Sequence, residues 1–245
     1  MRRIAVIIPA RFGSQRLPGK PLADLAGRPL IAHVVDRARR ARGVDVVAVA
    51  TDDERIARAV EAAGGQAIVT GEAQTGTDRV AQAARTLRPA ADVVVNLQGD
   101  EPLMDPAAIE TLVGAMAPEV EMATLARPLA EGEMGRLQVV KVVTDLKGDA
   151  LYFSRAPIPC RRSGGDSPLA RAHVGIYAFT AAFLQEFAAL TPGRLEAEES
   201  LEQLRALEHG HRIRVAETAY AGFGIDTPED LERARAILAA GRSEG

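Results

Sequence analysis

Ile4-Ala5-Val6-Ile7-Ile8-Pro9-Ala10-Arg11-Phe12-Gly13-Ser14-Gln15-Arg16-Leu17-Pro18-Gly19-Lys20-Pro21-Leu22 passes from a continuous apolar run into a turn rich in glycine, proline and cations. A short run with no polar alternation suits a parallel strand buried on both faces. In an open α/β sheet, ligands bind beyond the carboxyl ends of such strands. Gly13 and Gly19 let backbone N–H groups approach a ligand closely, and Arg11, Arg16 and Lys20 add positive charge. Backbone donors with fixed cations are what a polyphosphate needs. The stretch lacks G-x-x-x-x-G-K-[ST] and so is not a Walker loop. A merely solvated basic loop would explain the cations but not the preceding strand or the Gly/Pro spacing.

Outward from this turn, strand patterns at Ile4–Ile8, Val44–Ala50, Ala67–Thr70 and Asp92–Leu97 alternate with helical patterns at Pro29–Arg42, Glu54–Ala63 and Thr77–Leu87. Alternating β and α segments predict a mostly parallel, Rossmann-like sheet with helices on both faces. Met122–Arg127, Val139–Thr144, Ala150–Ser154 and His173–Phe179 read as strands with few helices before Ala181. They predict a smaller antiparallel extension. Glu198–Leu207 and Thr227–Ala239 read as helices flanking a strand at Arg212–Ala216. The expected organisation is one domain over 1–240, with a subregion at about 122–200 and a frayed tail at 241–245.

The chain of 245 residues has a formal net charge of −3. That argues against a general nucleic-acid or anionic-membrane binder, so any anion must be held by local basic groups. One cysteine, Cys160, excludes an intrachain disulfide and a cysteine-rich metal site. No apolar stretch is long enough for a membrane span or a signal peptide, so a cytoplasmic location is expected.

Two acids stand at the ends of buried strands. Asp100 closes Asn96-Leu97-Gln98-Gly99-Asp100, and Asp226 lies in Gly224-Ile225-Asp226-Thr227-Pro228. Such carboxylates suit Mg²⁺, which takes few protein ligands and keeps phosphate oxygens and waters. Each also reads as a turn or helix cap, with Thr227 competing for the cap beside Asp226. Thr75-Gly76-Thr77-Asp78-Arg79 opens a helix whose amides could meet a base or phosphate; an ordinary capped helix explains it nearly as well.

R-x-x-S-x-R-L-P-G-K-P-L, T-G-T-D-R, N-L-Q-G-D-E-P, V-K-V-V, Y-F-S-R-A-x-I-P, H-V-G-I-Y, L-E-Q-L-R and G-I-D-T-P-E-D-L occur in this order along the chain. Together they resemble the 3-deoxy-manno-octulosonate cytidylyltransferase family, the CMP-Kdo synthetases of Gram-negative lipopolysaccharide synthesis. The resemblance covers nearly the whole chain and implies a nucleotide-diphospho-sugar transferase fold. It implies transfer of CMP from CTP to Kdo with release of pyrophosphate, a Mg²⁺ cofactor and a homodimer.

By that likeness Arg11, Ser14 and Lys20 would bind the triphosphate, while Thr75, Gly76 and Arg79 would line the cytidine side. Asp100 and Asp226 would hold Mg²⁺, with Lys20 completing the catalytic set. Gln98, Arg155, His173, Tyr177 and Glu199 would face the sugar acid. Taken alone, Arg155 also reads as a surface ion-pair partner, His173 and Tyr177 as strand packing, and Glu199 as part of a solvated helix start. Ala73-Gln74, Leu137-Gln138 and Ala172 depart from the family pattern. They leave 8-amino-Kdo or another sialic-type acid as alternative acceptors, and a non-catalytic nucleotide-binding protein as the alternative of a different class.

Overall fold

β1 (Ile4–Ala10) is almost entirely buried, as its apolar run requires. The computed structural model of the chain describes residues 2–13 and 17–242. After β1 the backbone makes a 3-10 turn at Lys20–Leu22 and a short antiparallel ribbon, β2 (Asp24–Leu25) with β3 (Arg28–Pro29). There follow α1 (Leu30–Arg39), β4 (Val46–Thr51), α2 (Glu54–Ala62), β5 (Gln66–Val69), α3 (Gly76–Ala84), β6 (Val93–Asn96) and α4 (Pro106–Gly114). β7 (Met122–Pro128), β8 (Lys141–Thr144), β9 (Ala150–Ser154) and β10 (Arg171–Thr180) come next. α5 (Ala181–Ala189), α6 (Arg194–Glu199), α7 (Leu204–Glu208), β11 (Arg214–Glu217) and α8 (Pro228–Arg242) complete the chain.

The chain divides into two units, Met1–Glu110 with Gly222–Gly245, and Thr111–Ala221. In the first unit the strands run β6-β1-β4-β5, all parallel, with Ile7 registered against Ala48 on one side and Asn96 on the other. This is the α/β fold class read from the alternating pattern. Ile7, Ile8, Val94 and Val95 are fully buried, so the carboxyl ends of β1 and β6 rest on a rigid apolar base. Two of this unit's helices, α2 and α3, start where short polar side chains replace missing backbone acceptors. Asp53 accepts the Arg55 N–H at α2, and Thr75 and Asp78 form a capping box at α3.

In the second unit the strands run β11-β7-β10, with β8 pairing both β10 and β9. The β7–β10, β10–β8 and β8–β9 pairs are antiparallel, and β11 joins β7 in parallel. Its core is aromatic: Phe153, Phe179, Phe183 and Phe187 are all buried.

Three local readings are corrected. α4 occupies a stretch where no helix is expected from hydrophobic pattern, and Asp105 accepts the Ala107 N–H at its start. The helix expected at Glu198–Leu207 is two short helices, because Ser200 takes a left-handed backbone (φ 51°) that ends α6. The pieces are tied together when Arg205 donates to both Glu196 carboxylate oxygens, at 2.8 and 2.6 Å. α8 runs on to Arg242, past the expected start of the tail, and residues 243–245 lie outside the described residues.

Candidate active site

The first unit contains a cleft of about 660 Å³ at the carboxyl ends of β1 and β6. Small-molecule sites commonly fall in this size range. It is lined by Arg11, Lys20, Thr75, Gly76, Arg79, Gln98, Asp100 and Asp226, all named above from sequence. Ser14 and Arg16 lie outside the described residues. Pro9, Gly13, Pro21, Ala73, Gln74 and Gly99 complete most of the wall.

The two acids of the wall are placed by the backbone around them. A Cβ at Gly99 would stand 2.8 Å from the Pro9 carbonyl oxygen, so only glycine lets β6 turn this close to β1 and present Asp100. The Ile225 N–H donates to the Asp100 carbonyl at 2.9 Å, which brings the Asp226 segment alongside. The cap of the next helix is Thr227, whose hydroxyl accepts the Asp230 N–H at 3.2 Å. The Asp230 carboxylate in turn accepts the Asp226 and Thr227 N–H groups at 3.1 and 3.0 Å. Burial alone would raise the Asp230 carboxyl, but these bonds outweigh it and hold the pKa below its ordinary value.

Lys20 is the centre of the arrangement. Its Nζ donates to Asp100 Oδ2 at 2.7 Å and to Asp226 Oδ1 at 3.1 Å. The lysine side chain is 14% exposed, against 28% and 44% for the two acids. Two carboxylates therefore converge on one cation at the mouth of a cleft that also carries Arg11. Among the described residues, no three His, Cys, Asp or Glu side chains cluster closely enough to hold a metal. Two hard oxygen donors with room for a phosphate nevertheless fit Mg²⁺, which uses one or two carboxylates and completes its shell from substrate and water.

Arg79 is held more tightly than the sequence suggests. Its guanidinium donates to Asp52 Oδ2 at 2.6 Å and Thr70 Oγ1 at 2.7 Å, and its side chain is only 5% exposed. Sequence reasoning missed Asp52, although it follows β4 as Asp100 follows β6.

The second unit holds the other named residues. Arg155 and Glu199 come together. The Glu199 carboxylate accepts the Ser154 hydroxyl at 2.5 Å and the Arg155 N–H at 2.9 Å. The Arg155 guanidinium donates to the carbonyls of Glu199, Leu137 and Ser200, not to a surface acid. Lys141, fully buried, donates to the carbonyls of Arg136, Val139 and Arg155. Desolvation lowers its pKa. A strand lysine gives no sequence signal for such burial.

His173 and Tyr177 lie with ring centroids 5.5 Å apart, and Phe153 meets His173 edge-on at 5.0 Å. Thr124 Oγ1 lies 2.9 Å from His173 Nε2. Desolvation lowers the His173 pKa to about 3 and raises that of Tyr177. The folded state therefore keeps His173 neutral down to about pH 3, while the unfolded chain takes up that proton below about pH 6.5. The resulting stability is fully present above the unfolded value and is lost as pH falls towards the folded one. Between pH 6.5 and 4.5, urea titrations should show the wild type losing roughly 2 kcal/mol more than His173→Gln. Identical pH slopes would contradict this burial.

The model of a family described as cytidylyltransferase matches residues 5–213. A 3-deoxy-manno-octulosonate cytidylyltransferase of Anaeromyxobacter sp. (strain Fw109-5) is 82% identical, with 100% of both chains covered. An 8-amino-3,8-dideoxy-manno-octulosonate cytidylyltransferase of Shewanella pealeana is 50% identical over 96% of this chain and 98% of the relative. The solved structure of a CMP:2-keto-3-deoxy-manno-octonic acid synthetase complexed with CTP superposes with a TM-score of 0.92 at 44% identity, covering 98% and 99% of the two chains.

Proposed function

The chain belongs to the 3-deoxy-manno-octulosonate cytidylyltransferase family, and from that premise we propose that it transfers CMP from CTP to Kdo, releasing pyrophosphate. One observation carries the reading: the cleft in which Lys20 bridges Asp100 and Asp226 belongs to a chain whose similarity to this family runs from end to end.

The anomeric oxygen of the sugar bonds to the α-phosphorus of CTP, the bond from that phosphorus to the β-phosphate oxygen breaks, and the hydroxyl proton passes to solvent. Such a reaction depends on in-line positioning and on neutralising charge on the phosphoryl oxygens. Arg11 and Lys20 neutralise the triphosphate. Arg79, fixed by Asp52 and Thr70, lines the cytidine side with Thr75 and Gly76. Asp100 and Asp226 would hold Mg²⁺, which when bound supplies further charge neutralisation on the phosphates. Recognition of the sugar acid is assigned to Gln98, Arg155, His173, Tyr177 and Glu199.

Kdo is favoured over 8-amino-Kdo as acceptor because the relative named for Kdo is 82% identical and the one named for the amino sugar 50%. The product serves lipopolysaccharide synthesis. We place the protein in the cytoplasm as a homodimer, on the family likeness; among the described residues no helix is long and apolar enough to cross a membrane.

The test is pyrophosphate release with CTP, UTP, ATP and GTP, each combined with Kdo, 8-amino-Kdo and sialic acid. Release only with CTP and Kdo is expected. Preference for sialic acid would overturn the acceptor, and CTP binding without release for any acid would favour a non-catalytic protein.

A further inference from the structure

Phe12 does not line the cleft, yet both its neighbours, Arg11 and Gly13, do. Its ring has the Arg55 guanidinium over it, 3.5 Å from the centroid. The same ring lies against Gly19: a Cβ there would sit 3.2 Å from Phe12 Cε2 and Cζ. Gly19 also adopts a left-handed backbone (φ 69°) and donates its N–H to the Phe12 carbonyl at 3.1 Å. Arg55 is itself oriented. Its Nε and Nη2 donate to the two oxygens of Asp53, at 3.0 and 2.5 Å. Asp53 in turn caps α2 through the Arg55 N–H at 2.9 Å.

These contacts join three things. Phe12 sits at the entry of the basic loop, Gly19 at its exit immediately before Lys20, and Arg55 in the first turn of α2. Neither Phe12 nor Arg55 belongs to the apolar core, and the Arg55 side chain is 54% exposed. Core stability does not account for the stacking. Its geometric consequence is to tie the residue that follows Arg11 to the residue that precedes Lys20, and both of those cations line the same cleft.

We infer that Phe12 and Arg55, with Asp53 behind them, are positioning residues that pre-organise the triphosphate loop of the nucleotide site. The inference rests on reading the cleft as a CTP site. Cation–π stacking orients the ring, the ring supports Gly19, and Gly19 sets the start of the turn that carries Lys20. Without the stack the loop samples arrangements in which its cations do not converge, and apparent affinity falls by the fraction of time spent in them.

The experiment is calorimetric titration of CTP into the wild type, Phe12→Leu, Arg55→Met and the double variant, with steady-state kinetics and thermal midpoints for each. Each single variant should weaken CTP binding about fivefold, raising KM for CTP while kcat at saturation stays within about twofold. The double variant should bind about as weakly as either single one, because both changes undo one contact. Arg55→Lys should recover part of the loss. Multiplied losses in the double variant, about 25-fold, would overturn the clamp by showing that Arg55 acts on the nucleotide independently of Phe12. Unchanged affinity in both singles would overturn it as well. If Phe12→Leu fails to fold, the exposed Arg55→Met and Arg55→Lys pair decides the matter. A wild type that does not bind CTP would sink the nucleotide reading and the clamp together, whereas CTP binding indifferent to these residues would sink the clamp alone.

Discussion

Asp100→Asn should lower kcat by about 10²–10³-fold in a protein that remains folded, the loss typical when a principal charge-stabilising group is removed. Asparagine keeps the size of the side chain and one oxygen but removes the negative charge. Two functions of Asp100 fail together. The Lys20 ammonium, now 2.7 Å from Asp100 and 3.1 Å from Asp226, keeps only the longer of its two charged contacts. The pair of carboxylates that fits Mg²⁺ is reduced to one, with a neutral amide oxygen in place of the other, so more Mg²⁺ should be required for half-maximal rate. The fold should tolerate the change because Asp100 is part-exposed and its backbone anchor, the bond from the Ile225 N–H, does not involve the side chain. Stopped or steady-state pyrophosphate release, with circular dichroism as the folding control, decides it. Wild-type turnover in folded Asp100→Asn would refute the site.

Lys20→Met should be as severe for a different reason. Methionine keeps the apolar stem and removes the cation, so the triphosphate loses a fixed positive charge and the two acids lose the ammonium they share. A fall of about 10²-fold in kcat, with a higher KM for CTP, is expected, since a residue that meets the triphosphate before and during reaction contributes to both. Lys20→Arg should rescue poorly. A planar guanidinium cannot occupy the point between two carboxylates as a compact ammonium does. Full activity in either variant, measured at saturating CTP, would remove Lys20 from the reaction.

Much of this site was legible in the sequence because its signals are local. A continuous apolar run followed by a polar turn marked the ends of β1 and β6, and the residues just beyond them line the cleft. The choice between Asp226 and Thr227 as helix cap needed geometry. Both residue types cap helices, and only the observed bond from the Asp230 N–H to Thr227 settles it. Asp52 escaped notice because its partner Arg79 lies 27 residues away, and Lys141 because its ammonium gathers the Arg155 carbonyl, 14 residues on, together with two nearer ones. No local periodicity carries that information. The division between α6 and α7 was hidden for another reason, since nothing about serine announces the left-handed backbone of Ser200. α4 is different: Asp105-Pro106 carried a cap and first-turn signal, and the even hydrophobicity of the helix masked it.

The most direct measurement of the central claim is phosphorus NMR of the purified protein with CTP, Kdo and Mg²⁺. The triphosphate signals should give way to one phosphodiester and free pyrophosphate in equal amounts, and only when nucleotide and sugar are both present. Unchanged CTP, or its conversion to CDP and inorganic phosphate whether or not the sugar is added, would contradict the account.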